Sequence, residues 1–335
     1  MTNCNNVLFS FVSYRRNIKD MPYVNKLANL EQAIGVSRAL SEIFGDELEF
    51  KSLKNMPLKD CLELEEQGII TKELIENKDI SAYGISEDGT KKVFACEEDH
   101  IKIICLKKGF SLEECFAEAN LMDDRLLDKL EMSFNVNFGY LTANPHFVGT
   151  GMEIGCFLFI PALVKSGIFK KVQSELLKKE FVLMNINWGR WDEKSPFVII
   201  KNTYTFGYKE SQFAEKLYKI VKKIIELENA EENKAFNIGA STLTDDIFRN
   251  YGVLMSSYRI SYQEAEERLG NVFWGLNLNI LKRKKGFDIF KILATIKENH
   301  INDSKDESIK ESEKKRSKKI SNFINDNICK GEVDV

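Results

Sequence analysis

Apolar residues recur at helical spacing over residues 29–44, NLEQAIGVSRALSEIF. There Ala33, Ile34, Val36, Ala39, Leu40 and Ile43 predict an amphipathic helix, with Asn29 and Gln32 able to cap its start. From 81 to 107 the pattern changes: SAYGISEDGTKKVFACEEDHIKIICLK sets an Asp-Gly turn between β-rich flanks, which predicts an antiparallel hairpin. Ser111 and Glu114 read as a capping box. Leu112, Cys115, Phe116, Ala119, Met122, Leu126 and Leu130 then hold one apolar helical face to about residue 134, predicted to pack on the sheet. FVIIKNTYTFG (197–207) predicts a strand, and Phe213, Leu217, Ile220, Val221, Ile224 and Ile225 predict a long helix to about residue 231. The polar stretch ENAEENKAFNIGAS (228–241) reads as a break, and a second capping box follows at Ser261/Glu264. The expected division is therefore 1–234 and a helical C-terminal domain over 235–335. Within the latter, DSKDESIKESEKKRSKK (303–319) is densely charged without an apolar stripe and predicts a solvated linker or exposed helix.

Composition narrows the function classes. The 335 residues carry 48 Lys+Arg against 51 Asp+Glu, a formal charge of -3, so no broad basic field favours a nucleic-acid partner. Hydrophobic residues at 43% suffice for a sizeable core, and the length predicts about two domains. No apolar run approaches the roughly 18–20 residues of a membrane span, and the opening MTNCNNVLFSFVSYRR lacks a secretory pattern, which predicts a cytoplasmic protein without a membrane partner. Cys4, Cys61, Cys96, Cys105, Cys115, Cys156 and Cys329 are scattered, with no CxxC pair and only three histidines in the chain. Disulfides and structural zinc are disfavoured, and the cysteines read as buried small hydrophobes.

Three segments resemble the ATP:guanido phosphotransferase family, and most of all its bacterial protein-arginine kinase branch. EEDHIKI (97–103) resembles the family's EEDHIR signature, and GYLTANPHFVGTG (139–151) with PALV (161–164) resembles its GYLT-x-x-P-x-x-x-GTG…PAL run. VLFSFVSYRRNIKDMPY (7–23) resembles the opening SSRVRLARN segment, and IFRNYGVLMSSYRISYQEAEERLGNVFWGLNLNI (247–280) resembles the helical C-terminal domain, so the likeness runs from about Val7 to about Ser321. The resemblance implies an α+β fold: an antiparallel sheet flanked by helices, then a helical module for dimerisation and phosphoarginine recognition. It also implies transfer of the γ-phosphoryl group of Mg-ATP to a guanidinium nitrogen, in this branch on arginines of other proteins.

Such chemistry relies on positioning and on cations around the phosphates. The family's SRVR segment begins at Ser10, and its two arginines fall on Phe11 and Ser13. The arginine closing EEDHIR falls on Lys102, the one after GTGL on Glu153, and the one opening the RGIYGEG loop on Met184; none of these five is arginine here. Lys102 keeps the charge without the planar fork, and a carboxylate at 153 repels phosphate. If each lost charged hydrogen bond is worth roughly 1.5–3 kcal/mol, four losses come to the order of 6–12 kcal/mol, against about 8 for micromolar binding. Glu98, at the position of the family's catalytic glutamate, is retained with Asp99 and His100, while the loop's second carboxylate falls on Gly189 and the reactive cysteine position is Asn144. In that loop, MNINWGRWDEKSP, Arg190, Asp192 or Glu193 could approach the pocket, and Trp188 and Trp191 read as adenine-stacking or as core and interface residues.

Structural roles compete with each of these. Glu98, Asp99 and His100 can serve as hydrogen-bonding residues at a strand end, and GTG (149–151) as a tight turn. Arg15 and Arg16 read either as a displaced phosphate grip or, for Arg16, as a structural salt bridge. The branch's phosphoarginine motif RDxxRA aligns with Arg316 to Ser321, of which only Arg316 matches; Lys314, Lys315, Lys318 and Lys319 around it form a basic cluster or a solvated face. The leading expectation is a protein-arginine kinase relative that has lost its nucleotide site and works by binding: a pseudokinase with no cofactor. Its expected partners are arginine-phosphorylated proteins, an active kinase paralogue or a second copy in a homodimer. The alternative is an active Mg-ATP-dependent phosphotransferase acting on a protein substrate, with cations rebuilt from Arg15, Arg16, Lys102 and Arg190.

Overall fold

The computed structural model describes residues 6–27, 30–185, 195–284, 287–302 and 308–330. It forms two compact units, one of Met1–Phe159, Lys170–Met184 and Val198–Ile225, the other of Ile160–Phe169, Asn185–Phe197 and Glu226–Val335. In chain order the elements are β1 (Val7–Arg16), α1 (Leu30–Phe44), β2 (Glu49–Ser52), α2 (Leu58–Glu66), α3 (Lys72–Glu76), β3 (Ala82–Ile85), β4 (Lys91–Ala95), β5 (Ile101–Lys108) and α4 (Leu112–Leu127). There follow β6 (Phe134–Asn135), β7 (Gly139–Tyr140), β8 (Met152–Phe159), α5 (Pro161–Ser166), α6 (Phe169–Leu177), β9 (Phe181–Asn185), β10 (Phe197–Asn202) and α7 (Glu210–Ser256). The chain continues with α8 (Tyr262–Asn277), β11 (Leu281–Arg283), α9 (Ile289–Thr295), α10 (Glu298–Ile301), α11 (Ile309–Asn327) and β12 (Ile328–Lys330). The architecture is α+β, as expected.

The first unit is built on an eight-stranded sheet ordered β2-β3-β4-β5-β1-β8-β10-β9, in which every pair from β2 to β8 is antiparallel. The predicted hairpin is β3–β4: Gly89 takes a left-handed φ of 71°, and Asp88 Oδ1 accepts from Thr90 N and from the hydroxyls of Ser86 and Thr90. Strand alternation gives β1 two faces. Ser10, Tyr14 and Arg16 make hydrogen bonds or ion pairs on the side of α4, whose buried residues Cys115, Ala119, Met122 and Leu126 follow the predicted stripe. Phe11, Ser13 and Arg15 point to the opposite face. α1 buries Ala33, Val36, Leu40 and Phe44, while Ile34 stays exposed. Five of the cysteines are buried, Cys329 is half-buried, and Cys4 lies outside the described residues. Burial pushes the thiols of Cys96, Cys105, Cys115 and Cys156 up to about 12, which keeps them inert.

Four expectations need correction. Ser111 does not cap α4: its hydroxyl donates to Lys108 O at 3.3 Å, because its backbone (φ -120°, ψ 43°) departs from the extended cap conformation. The helix ends at Leu127, well before residue 134, and the strand from 197 ends at Asn202. The break read in the polar stretch 228–241 is present, at Gly239 (φ -152°, ψ 42°), where α7 is two helices joined across a kink, with helix continuing on either side. The charged segment around 303–319 is not merely solvated, because α11 buries Ser312, Arg316, Ser317, Ile320 and Ile324 along one face; residues 303–307 lie outside the described residues.

In the second unit, Leu243, Ile247, Leu269, Trp274, Ile292 and Ile320 form part of the core, and Ser261 caps α8 by accepting from Glu264 N, as its sequence predicts. The buried Glu228 accepts from the amides of Ala162 and Leu163 at 2.9 and 2.8 Å at the start of α5, while burial pushes its carboxyl up to about 8. β11 and β12 pair antiparallel. Among the described residues no helix is long and apolar enough to cross a membrane.

Candidate functional site

The loop between β4 and β5 carries the carboxylates. Cys96 takes φ 55°, unusual for a non-glycine residue, and its amide donates to His100 O at 2.9 Å, closing a five-residue turn that presents Glu97, Glu98 and Asp99. The turn is braced from beneath. Asp99 Oδ1 accepts from Asn17 Nδ2 at 2.6 Å and from Ala143 N at 2.7 Å. His100 Nδ1 accepts from Ile18 N, its Nε2 lies 2.8 Å from Pro22 O, and its amide donates to Asn17 Oδ1. Asp99 and His100 thus do hold structural hydrogen bonds at the strand end, whereas Glu98 is left half-exposed at the lip.

Arg15 enters this turn from β1. Its Nη1 lies 3.1 Å from Glu97 Oε2, 3.3 Å from Glu98 Oε2 and 3.6 Å from Asp99 Oδ2, and Phe147 stacks on the guanidinium with Cζ 4.3 Å from the ring centroid. β pairing sets Arg15 opposite Lys102 and Ser13 opposite Glu153, so these side chains share one face of the sheet. Lys102 Nζ contacts Glu97 Oε1 at 2.8 Å, where Thr71 Oγ1 also donates at 2.8 Å. Lys201 Nζ contacts Glu153 Oε2 at 2.9 Å. Four carboxylates therefore face three cations, and each cation stands within ion-pair distance of a carboxylate.

The charges tune one another. Burial alone would raise the Glu97 carboxyl, yet Lys102 and Arg15, with hydrogen bonds from Lys102 and Thr71, hold it down to about 2. Burial likewise opposes ionisation of Glu153, but Lys201, Lys102 and Arg15 keep it below the ordinary carboxylate range. Burial would also lower Arg15, and Glu97, Glu153, Asp99 and Glu98 more than offset it. Glu98 is shifted upward, by burial first and then by the neighbouring Asp99 and Glu97, against the pull of Arg15 and a hydrogen bond to Asn144.

Beyond Ser13 the same face is filled with apolar matter. Phe11 is buried and packs on Phe157 at 5.5 Å between centroids. A Cβ on Gly155 would stand 2.4 Å from Ile200 O and 2.5 Å from the Phe11 ring. Gly155→Ala is therefore expected to cost about 2 kcal/mol, read as a lowered midpoint in thermal denaturation; an unchanged midpoint would mean that both the Ile200 backbone and the Phe11 ring give way without cost, against this account of the packing.

The structure brings Glu98, Asp99, Lys102, Glu153, Ser13 and Phe11 together on one side of the sheet. Ser10 faces α4, where its hydroxyl donates to Gly109 O at 2.9 Å and accepts from Ser111 N, so it is not placed to meet a ligand on the opposite face. Met184 is half-buried on the edge strand β9, and Gly189, like Trp188, Arg190, Trp191, Asp192 and Glu193, lies outside the described residues. Arg316, in the second unit, is 3% exposed, with Nε on Ile296 O at 2.8 Å and Nη1 on Ile260 O at 3.1 Å, so two of its donors are engaged by backbone. Arg16 forms the predicted structural salt bridge, to Asp123 at 2.6 Å. The glycines of GTG take left-handed φ values of 120° and 66°, and a Cβ on Gly151 would meet Arg15 O and Arg16 Nη1 at 2.7 Å, so this turn holds β1 closely. Sequence reasoning missed Glu97, Lys201 and the stacking Phe147; the alternation of β1, which puts Arg15 in phase with Ser13 and Phe11, is the signal for the cluster's centre.

A turn of acids set against strand cations on an antiparallel α+β scaffold is found together with a family match. Residues 32–231 match ATP:guanido phosphotransferase, C-terminal catalytic domain, and the chain belongs to that family. More particularly, residues 240–328 match the protein-arginine kinase McsB C-terminal domain. The chain is similar to the protein-arginine kinase of Bacillus subtilis (30% identical over 284 residues, 82% of this chain and 77% of that one) and to that of Clostridium perfringens (29% over 331 residues, 95% and 96%). Solved structures agree on the fold. Lombricine kinase superposes with a TM-score of 0.59 at 17% identity, covering 69% of this chain and 68% of that chain. The duplicated taurocyamine kinase from Schistosoma mansoni gives 0.59 at 20% identity over 67% of this chain, which spans 33% of that longer protein.

Proposed function

We propose that this family member does not use Mg-ATP in the manner of its relatives and acts by binding other proteins. The observation that carries this reading is the pairing of Arg15, Lys102 and Lys201 with Glu97, Glu98, Asp99 and Glu153. A triphosphate needs cations whose charge is not already spent, and separating a buried pair costs about 3–5 kcal/mol. The residues present do not fit the phosphates: the aligned arginine positions hold Phe11, buried on Phe157, Ser13, whose hydroxyl has no hydrogen-bond partner, and Glu153. Partners consistent with this reading are arginine-phosphorylated proteins, an active kinase paralogue or a second copy of the chain, met in the cytoplasm.

One observation favours catalysis: Glu98, at the family's base position, is half-exposed with its carboxyl above the ordinary range. A single assay separates the readings. Incubated with radiolabelled Mg-ATP and an arginine-rich protein, the chain is expected to leave no acid-labile phosphate on the protein, and Glu98→Gln to behave identically. Label that accumulates with the native chain and vanishes with Glu98→Gln would overturn the proposal.

A further inference from the structure

The acids around Arg15 form a receptor for a planar cation. Carboxylates of Glu97 and Glu98 meet its Nη1 at 3.1 and 3.3 Å, Phe147 lies against the guanidinium at 4.3 Å, and the whole side chain is 8% exposed. The three carboxylates converge on the one nitrogen Nη1, and the aromatic ring against the flat face of the cation is the feature that favours a guanidinium over an ammonium. The receptor also has unused capacity: Asp99 Oδ2, on a fully buried residue, accepts no hydrogen bond and faces Nη1 at 3.6 Å, while Arg15 Nε has no partner. Arg16, its neighbour on the opposite face, also leaves Nε unpartnered and also meets aromatic rings, but it differs in its partners: one carboxylate, Asp123, and the backbone carbonyls of Arg15 and Thr150, where Arg15 meets three carboxylates.

We propose that Arg15 is a built-in ligand, a guanidinium tethered on β1 that occupies the acidic pocket and keeps arginine side chains of other proteins out of it. The cluster is an arginine site filled from within. This rests on the functional reading only in taking the pocket as closed to substrate. Removing the side chain as Arg15→Ala leaves four carboxylates facing Lys102 and Lys201, with a guanidinium-sized space beneath Phe147.

The test is ligand-dependent stability of the full-length chain with methylguanidinium as probe, methylammonium and Mg²⁺ as controls, at constant ionic strength. Arg15→Ala is expected to melt below the native chain and to regain about 3 °C at tenfold-saturating methylguanidinium, in the low millimolar range. The native chain is expected not to respond. Equal stabilisation by methylammonium or Mg²⁺ would show a merely charged hole and overturn the proposal, as would saturable methylguanidinium binding by the native chain. Should Arg15→Ala not fold in buffer, its refolding yield is read instead: recovery with methylguanidinium but not methylammonium supports the proposal, and recovery with neither overturns it. No nucleotide enters this experiment, so it fails independently of the phosphotransfer assay.

Discussion

Arg16→Met is expected to lower the stability of the first unit by about 3–5 kcal/mol, seen as an early transition in urea denaturation. The Arg16 guanidinium is fully buried. It pairs with Asp123 at 2.6 Å, donates to the carbonyls of Arg15 and Thr150 at 2.9 and 2.8 Å, and lies between the rings of Tyr14 and Tyr140, with centroids 4.8 and 3.7 Å from Cζ. Methionine supplies none of the donors and strands Asp123, whose carboxyl burial already raises against the pull of Arg16. The double variant Arg16→Met/Asp123→Leu should recover much of the loss, because the isolated buried charge is gone. An unchanged urea midpoint for the single variant would contradict this account of how the GTG turn is held to β1.

The second large effect is an acid dependence traceable to Glu97. Its carboxyl is held down to about 2 in the folded chain, against about 4.3 when unfolded. A lowered folded value adds stability above the unfolded value, and this contribution is lost as pH falls through the folded one. The native chain should therefore lose on the order of 3 kcal/mol between about pH 4.5 and pH 2 that Glu97→Gln does not, and Glu97→Gln should be the weaker by a similar amount at pH 7. Parallel pH–stability curves for the two proteins would mean that Lys102 and Arg15 do not hold Glu97 as described.

Much of the scaffold was legible because it is written in local periodicity. The stripe Ala33-Val36-Leu40, the Asp88-Gly89 turn and the Ser261 cap each depend on residues a few positions apart, and each formed as read. Ser111 failed because its hydroxyl had an equally local alternative in Lys108 O. The break read in 228–241 falls at Gly239, the residue of α7 outside helical geometry, with helix on either side of it. α11 was misjudged because serine and arginine can be buried when their polar atoms find backbone partners, as Arg316 does on Ile296 and Ile260.

The site was legible by half. Matching motifs placed Glu98, Asp99, Lys102 and Glu153, yet which cation answers which acid depends on pairing across strands distant in sequence. Nothing local ties Lys201 to Glu153, 48 residues away, or Arg15 to Glu97, 82 residues away. Strand alternation alone indicates that Arg15, and not Arg16, shares the face of Phe11 and Ser13.

That cross-strand pairing is the central claim, and titration of the purified native chain with Mg-ATP by calorimetry tests it most directly. With Arg15, Lys102 and Lys201 committed to carboxylates, no saturable heat is expected at millimolar nucleotide. A dissociation constant near or below about 100 μM, roughly 5.5 kcal/mol of binding, would contradict it: the cations would then have left their acids for the phosphates.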